Sequence, residues 1–167
     1  MNKKVIIVGH GSIGSQIGTL CEAFSMEVSF FERGNNLATA SQDKDLIINA
    51  LNCNSTSKNL LDEKFFMNLK KGCYYITFVR PYTYDIDGLI KSINNNIVAG
   101  AAIDCDPEGF GDTTNDFYQK ALSNSKILVT PHVAFSTKQA SANGKEIAIL
   151  NIESFLGNKP KNILRKK

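Results

Sequence analysis

The 167-residue chain contains 43% hydrophobic and 21% charged residues. This length is enough to bury one core and too short for an enzyme built from two full domains. The net charge of +3 comes from the C-terminus, because the last nine residues hold five of the 19 Lys and Arg and leave 14 against 16 Asp and Glu. The body of the chain therefore lacks the basic excess of a nucleic-acid surface, and we expect one domain over residues 1–158 followed by a basic tail over residues 159–167.

The first informative segment is the apolar run from Lys4 to Val8, which leads into a G-x-G-x-x-G loop at Gly9, Gly11 and Gly14 and then into a helical pattern. A strand, such a loop and a helix in this order are typical of a dinucleotide-binding site. The first glycine allows a tight turn, the second lets a pyrophosphate approach the backbone, and the third lets the helix pack against the strand. We expect the N–H groups at the start of this helix, including those of Ser12 and Ile13, to hold the phosphates. His10 fills a variable position of the loop and is interpreted as incidental.

A second strand is predicted from Glu27 to Phe31, and it ends at Glu32, 18 residues beyond Gly14. A carboxylate at this position accepts hydrogen bonds from the ribose hydroxyls of adenosine and repels a 2′-phosphate, which favours NAD over NADP. Arg33 complicates this prediction, because a guanidinium accommodates a phosphate. The alternative for both residues is a solvated charge pair in a loop.

The remaining apolar runs alternate with helical patterns, which predicts a parallel sheet covered on both faces and an α/β fold.

Cys21, Cys53, Cys73 and Cys105 show no C-x-x-C pairing, so we expect reduced core residues with neither a disulfide framework nor a metal site. No apolar segment approaches the ~20 residues that span a bilayer, and we expect a cytoplasmic protein. The predicted elements after Glu32 are strands Leu46–Leu51, Tyr74–Phe78, Ile97–Ile103 and Lys126–Val129, helices Asp62–Leu69, Asp85–Ser92 and Thr137–Leu156, and a long loop Pro107–Ser125.

Three reactive residues follow predicted strands, and ligands bind at the carboxyl ends of strands in such sheets. Arg80 follows the strand that ends at Phe78, Glu108 follows the strand that ends near Asp104, and His132 follows the last strand. Arg80 suits a substrate carboxylate, and His132 suits proton transfer with Glu108 orienting its ring. The alternatives are a salt bridge from Arg80 to Asp85, a loop-capping role for His132 and solvation of Glu108.

The order of these motifs resembles the nucleotide-binding half of the D-isomer-specific 2-hydroxyacid dehydrogenases, from about Lys4 to Ile163. The matching segments are the glycine loop, Glu32, FVRPYTYD around Arg80, GAAIDCDPEGF and TPHVAFST. The resemblance implies a Rossmann-like, doubly wound parallel sheet in a single domain. It also implies that Arg80 binds the substrate carboxylate, Glu108 supports His132, His132 is the acid–base, and Asp104 contacts the nicotinamide.

Two departures from the family pattern are expected to matter. The family's substrate domain normally precedes the first cofactor-binding strand, where this chain begins, so we expect a need for a missing domain or partner chain. Only 12 residues separate Glu32 from Asp45, which predicts that one edge of the sheet is trimmed.

The main hypothesis is an NAD-dependent oxidoreductase, or part of one, that interconverts a 2-hydroxyacid and a 2-oxoacid and forms a homodimer. The first alternative is a non-catalytic NAD(H)-binding module with a sensing or scaffolding role. A further alternative is a site for another adenosine-containing ligand such as S-adenosylmethionine, because the glycine turn is not exclusive to NAD.

Overall fold

The computed structural model of the protein describes residues 3–104 and 114–163. Strands and helices alternate along the chain, and the strands pair in parallel, which confirms the predicted α/β class. In chain order the elements are β1 Lys4–Val8, α1 Ser12–Ala23, β2 Glu27–Phe30, α2 Leu37–Ser41, β3 Leu46–Asn49, α3 Glu63–Met67, β4 Cys73–Thr77, a 3-10 turn Pro81–Thr83, α4 Ile86–Asn94, β5 Val98–Asp104, α5 Asp116–Leu122, β6 Ile127–Thr130 and α6 Lys138–Leu156.

Within the described residues, six strands form one parallel sheet in the order β2-β1-β3-β4-β5-β6. The direction of winding reverses at β1, since the chain first pairs β2 on one side of this strand and then returns to pair β3 on the other. Open parallel sheets bind ligands beside such a reversal, beyond the carboxyl ends of the strands. The fold therefore places the glycine loop, which follows β1, where a ligand is expected.

Both faces of the sheet are buried at its centre, because successive residues of β1 point to opposite sides. Ile6 and Val8 join a large apolar cluster that includes residues of α3 and α4, whereas Val5 and Ile7 pack with Cys21 of α1. A strand that is buried on both faces needs a continuous apolar run instead of alternation. This requirement explains the sequence of β1.

The side of α1 that packs on the sheet is formed by small residues. Cys21 is buried as expected, but Leu20 is 60% exposed and Phe24 is 78% exposed. The small residues Gly14 and Gly18 face the sheet in their place, and a Cβ atom on Gly18 would lie 2.7 Å from Cζ of Phe30. Glycines let the helix approach the sheet closely, which moves the larger apolar side chains outwards.

Two short helices lie where none was predicted. Helix α5 falls inside the expected loop Pro107–Ser125, where Asn115 caps it by accepting the Phe117 N–H at 2.9 Å, and its Ala121 packs into the core. Helix α2 occupies the segment between Glu32 and Asp45, where the sequence analysis predicted no element. Both helices are difficult to predict from the sequence, because each lies in a polar segment and buries only one or two apolar side chains.

The chain divides into two compact units, residues 1–132 and residues 133–167. The second unit contains α6, whose N-cap residue Thr137 accepts the N–H of Ala140 at 3.0 Å. The predicted boundary between residues 158 and 159 stays a prediction. Among the helices of the described residues, none is long and apolar enough to cross a membrane.

The cysteines are not all core residues, as the sequence had suggested. Cys21 and Cys73 are buried, but Cys53, in the loop that follows β3, is exposed and belongs to neither core cluster. Cys105 lies outside the described residues. All three described cysteines are free thiols.

Candidate functional site

The glycine loop after β1 has the geometry that a dinucleotide requires. Gly9 has a φ of +119°, and a Cβ atom there would overlap the carbonyl of Ala50; a Cβ atom on Gly14 would overlap the carbonyl of Gly9. A Cβ atom on Gly11, in contrast, would meet no protein atom within 4 Å. Two of the glycines are therefore needed by the fold, while Gly11 leaves open space in front of its backbone.

Helix α1 begins directly behind this open space. Its N-cap residue is Gly11, and no side chain caps the first turn. The first N–H groups of a helix have no partner within the helix and carry its positive dipole end, so they attract an anion. The loop and the helix start, including Ser12 and Ile13, fit a pyrophosphate on these grounds.

A cavity of about 680 Å³ extends from the glycine loop along the carboxyl edge of the sheet. One wall is the segment from Phe31 to Asn35, and the opposite wall is the cofactor loop, which we define as residues 50–57. Glu32 and Arg33 both line the cavity and are exposed. Within the described residues neither of them takes part in an ion pair, so the roles of Glu32 and Arg33 stay predictions.

His10 also lines this cavity, although it was interpreted as incidental from the sequence. Its imidazole stacks on the ring of Phe30, with 3.9 Å between the ring centroids and 13° between the planes. The two residues are distant in sequence and meet only because β1 and β2 pair in a register that joins Ile7 to Phe30. Strand register is a long-range property, which is why sequence patterns did not indicate this contact.

Arg80 lies on the same edge, just after β4, as the N-cap residue of the 3-10 turn. It belongs to the arginine loop, which we define as residues 78–84. Among the described residues the Arg80 side chain forms no ion pair. The alternative pairing with Asp85 is absent there, because that carboxylate instead caps α4 by accepting the Asp87 N–H at 3.0 Å. Arg80 is exposed and does not line the 680 Å³ cavity.

The ends of β5 and β6 are tied together. Asp104 and Thr130 are register partners, and the Thr130 hydroxyl donates to Oδ1 of Asp104 at 2.5 Å. Two residues further on, the N–H of His132 donates to the carbonyl of Thr130 at 3.0 Å, and His132 adopts a left-handed backbone with φ of 53°. Such conformations are uncommon for residues other than glycine and concentrate at functional sites.

The structure thus brings Arg80, Asp104 and His132 to the carboxyl ends of three neighbouring strands, β4, β5 and β6. Glu108 lies outside the described residues. The cofactor-binding candidates lie further along the same edge, beside β1 and β2.

Known proteins match this arrangement. The model of the family described as D-isomer specific 2-hydroxyacid dehydrogenase, NAD binding domain, matches residues 1–134. The chain belongs to this family. This match and the relatives that follow confirm the predicted family resemblance, the predicted fold class and the prediction of an NAD-binding domain.

Two curated relatives show the extent of the likeness. A D-3-phosphoglycerate dehydrogenase of Haemophilus influenzae is 31% identical over 87% of this chain and 38% of its own length. A D-lactate dehydrogenase of Staphylococcus epidermidis is 30% identical over 85% of this chain and 49% of its own length. The NAD-binding domain described here therefore spans less than half the length of these relatives.

Solved structures agree with the fold. One is a D-isomer specific 2-hydroxyacid dehydrogenase of Lactobacillus delbrueckii ssp. bulgaricus in an NAD-complexed form, which superposes with a TM-score of 0.86 at 22% identity. The superposition covers 98% of this chain and 56% of the dehydrogenase chain. A D-lactate dehydrogenase of Aquifex aeolicus, complexed with NAD and lactic acid, gives a TM-score of 0.79 at 19% identity over 94% of this chain and 54% of its own.

Proposed function

We propose that this NAD-binding domain acts in an oxidoreductase that interconverts a small 2-hydroxyacid and a 2-oxoacid. The observation that carries the proposal is the left-handed His132, held beside the Asp104 to Thr130 hydrogen bond on the same sheet edge as Arg80. A proton-transfer group, an anion-binding group and a dinucleotide site on one edge are what hydride transfer to a 2-oxoacid requires. The names of the two curated relatives support this substrate class.

The cofactor is proposed to lie along the glycine loop. The backbone of Gly9, Gly11 and Gly14 and the first N–H groups of α1, those of Ser12 and Ile13, are assigned to the pyrophosphate, and Glu32 is assigned to the adenosine ribose hydroxyls. Bound NAD(H) supplies or accepts the hydride. Glu32 makes the site disfavour a 2′-phosphate by charge repulsion. Arg33 lies beside it, and NAD, which has no 2′-phosphate, does not need this cation for binding.

The substrate is proposed to bind through Arg80, whose guanidinium forms two parallel hydrogen bonds with a carboxylate. His132 donates a proton to the substrate carbonyl oxygen in reduction and removes it in oxidation. Asp104 is proposed to contact the nicotinamide side of the site. Glu108 is proposed to orient the His132 ring.

Partners and location are proposals as well. The chain spans less than half of its curated relatives, so we propose that a substrate domain, in a partner chain or elsewhere, completes the site and excludes water. We further propose that the protein is a cytoplasmic homodimer. An apolar groove of about 750 Å³ on the α1 side of β4, β5 and β6 supports association, because Tyr74 and Leu128 are exposed there.

The cofactor part of the proposal is tested by titrating the purified chain with NADH and with NADPH while following ligand fluorescence. We expect tighter binding of NADH, and the Glu32→Ala variant is expected to lose most of this preference because the carboxylate that repels the 2′-phosphate is gone. Equal affinity for both nucleotides in the wild type would contradict the role of Glu32.

The substrate part is tested with oxamate, an unreactive analogue of pyruvate, added to the chain saturated with NADH. Arg80→Gln is expected to weaken oxamate binding by tenfold or more, the effect of losing about 1.4 kcal/mol. The matched control is Lys91→Gln, which removes an exposed cation of α4 that is paired with Glu63. Equal losses in both variants would show that general charge, and not Arg80, attracts the anion.

A further inference from the structure

A fully buried amide lies between the cofactor loop and the arginine loop. Asn49, the last residue of β3, has no exposed surface. Its Nδ2 donates to the hydroxyl of Thr83 at 2.9 Å and to the hydroxyl of Tyr75 at 3.1 Å, and its Oδ1 accepts the N–H of Leu51 at 3.2 Å. One side chain therefore contacts a residue of each loop and the strand between them.

The backbones of the same regions are also joined. The N–H of Asn59 donates to the carbonyl of Tyr82 at 2.9 Å, and the N–H of Leu61 donates to the carbonyl of Thr83 at 3.1 Å. Leu61 then accepts the N–H of Asp85 at 3.0 Å. The segment that follows the cofactor loop is thus paired with the arginine loop along its length.

Thr83 passes this constraint on to Arg80. A threonine hydroxyl has one proton to donate and can accept others. The Thr83 hydroxyl accepts from Asn49 and lies 3.3 Å from the carbonyl of Arg80, to which it donates. Both protons of the Asn49 amide and the hydroxyl proton of Thr83 are therefore used, which leaves a single arrangement of donors and acceptors.

This network lies in an apolar region, beside the buried Leu61 and Tyr75. Apolar residues of similar size would fill such a position without any need for matched donors and acceptors. A satisfied polar network in a low-dielectric core holds its members in one geometry more strictly than apolar packing does. Geometric precision, more than stability, is what this arrangement provides.

We propose that Asn49 is a positioning residue that holds the cofactor loop and the arginine loop in one fixed arrangement, acting on Arg80 through Thr83. This inference rests on the proposed role of Arg80 in binding a substrate carboxylate. Asn49 itself touches neither cofactor nor substrate. Its effect is to keep Arg80 at a constant distance from the cofactor site.

The first test follows amide hydrogen exchange in the ligand-free chain. Asn49→Leu is expected to speed exchange of the Leu51 amide and of the arginine loop about fivefold, the effect of losing one hydrogen bond of ordinary net strength. Thr83→Val is expected to speed exchange in the arginine loop alone, and Thr83→Ser, which keeps the hydroxyl, is expected to match the wild type. Ser92→Ala is the control, since it deletes another buried hydroxyl, bonded at 2.7 Å to Leu89 within α4.

Unchanged exchange in the arginine loop of both Asn49→Leu and Thr83→Val would overturn the proposal. Uniformly faster exchange over the whole sheet would also overturn it, because this would show a general loss of stability. If Asn49→Leu does not fold, the near-isosteric Thr83→Val still decides the outcome. None of these measurements requires the chain to bind a ligand.

The second test is a double-mutant cycle on oxamate binding to the NADH-saturated chain. Thr83→Val is expected to weaken oxamate binding about fivefold with little change in NADH affinity, and to have no further effect when Arg80→Gln is already present. Equal losses with and without Arg80 would overturn the proposal, because Thr83 would then act independently of it. Failure of the wild type to bind oxamate would count against the proposed function, while hydrogen exchange still decides whether Asn49 fixes the two loops.

Discussion

The glycines of the loop after β1 differ in their surroundings, and one added methyl group distinguishes their roles. Gly11→Ala is expected to fold with nearly wild-type thermal stability, because the new Cβ meets no protein atom within 4 Å. The same methyl group occupies the space assigned to the pyrophosphate, so NADH affinity is expected to fall by tenfold or more, about 1.4 kcal/mol. Thermal unfolding and NADH fluorescence measure the two effects separately.

Gly14→Ala serves as the matched control for this prediction. Its Cβ would overlap the carbonyl of Gly9, so this variant is expected to lose stability before any ligand is added. If Gly11→Ala bound NADH as tightly as the wild type, the pyrophosphate would not lie in front of Gly11.

The thiols are expected to differ widely in reactivity. Burial raises the pKa of the Cys73 thiol to about 11, and burial also raises the pKa of Cys21, whereas Cys53 is exposed. Because the thiolate is the reactive form, a maleimide at neutral pH is expected to label Cys53 first among these three, as read by peptide mapping. Bound NADH is expected to slow this labelling, since the neighbours Asn52 and Asn54 line the cavity.

Labelling in urea provides the control, because all cysteines should then react at similar rates. Rapid labelling of Cys73 in the native chain would contradict the burial of β4 in the core.

At the scale of single residues, the sequence predicted those positions that depend on local geometry. Gly9, Gly11 and Glu32 have a fixed spacing from a strand end, so their positions in the cavity followed from the sequence alone. Roles that depend on two distant segments were missed. His10 needs the register between β1 and β2 to reach Phe30, and Asn49 needs the turn after β4 to reach Thr83.

At the scale of elements, long apolar runs were easier to predict than short helices. The central strands were found because both of their faces are buried, which requires several apolar residues in succession. Helices α2 and α5 were missed because each is short and begins with an asparagine cap in a polar segment. Polar caps and turns share the same residue types, so composition alone does not separate them.

At the amino ends of the strands, opposite the edge that carries the cavity, Asp45 links the start of β1 to the segment before β4. Its carboxylate accepts the N–H of Lys4 at 2.9 Å and contacts the ammonium of Lys70 at 2.9 Å, and these contacts hold the pKa of Asp45 far below its usual range. A group whose pKa is lower in the folded state stabilises the fold above its unfolded pKa of about 4, and this contribution is lost as the pH falls through the folded pKa. The edge is therefore expected to weaken in acid.

Urea unfolding of the wild type and of Asp45→Asn, at pH 7 and at pH 3, tests this expectation. The difference in free energy of unfolding between the two proteins is expected to be larger at pH 7 and smaller at pH 3, where the wild type has begun to lose the same contribution. Glu22→Gln is the control, because this exposed residue of α1 forms no ion pair among the described residues. A difference that does not depend on pH would contradict the role of the ionised carboxylate.

At the scale of the whole molecule, the sheet is covered unequally within residues 1–132. The side that packs α3 and α4 holds the larger core, whereas the α1 side leaves Tyr74 55% exposed and Leu128 67% exposed in the 750 Å³ groove. A contiguous apolar surface of this kind is typical of a contact between proteins. We assign it to the second copy in the proposed homodimer.

Leu128→Lys is expected to convert the dimer to a monomer, because a charge placed in the groove must be desolvated for a second copy to pack there. Light scattering after gel filtration measures the mass directly. Leu122→Lys is the matched control: Leu122 is 50% exposed on α5, whose Ala121 belongs to the cluster on the other face, so this variant is expected to remain dimeric. A dimeric Leu128→Lys variant would place the interface elsewhere, and a wild type that is monomeric at every concentration would reject the homodimer and leave the groove to the substrate domain.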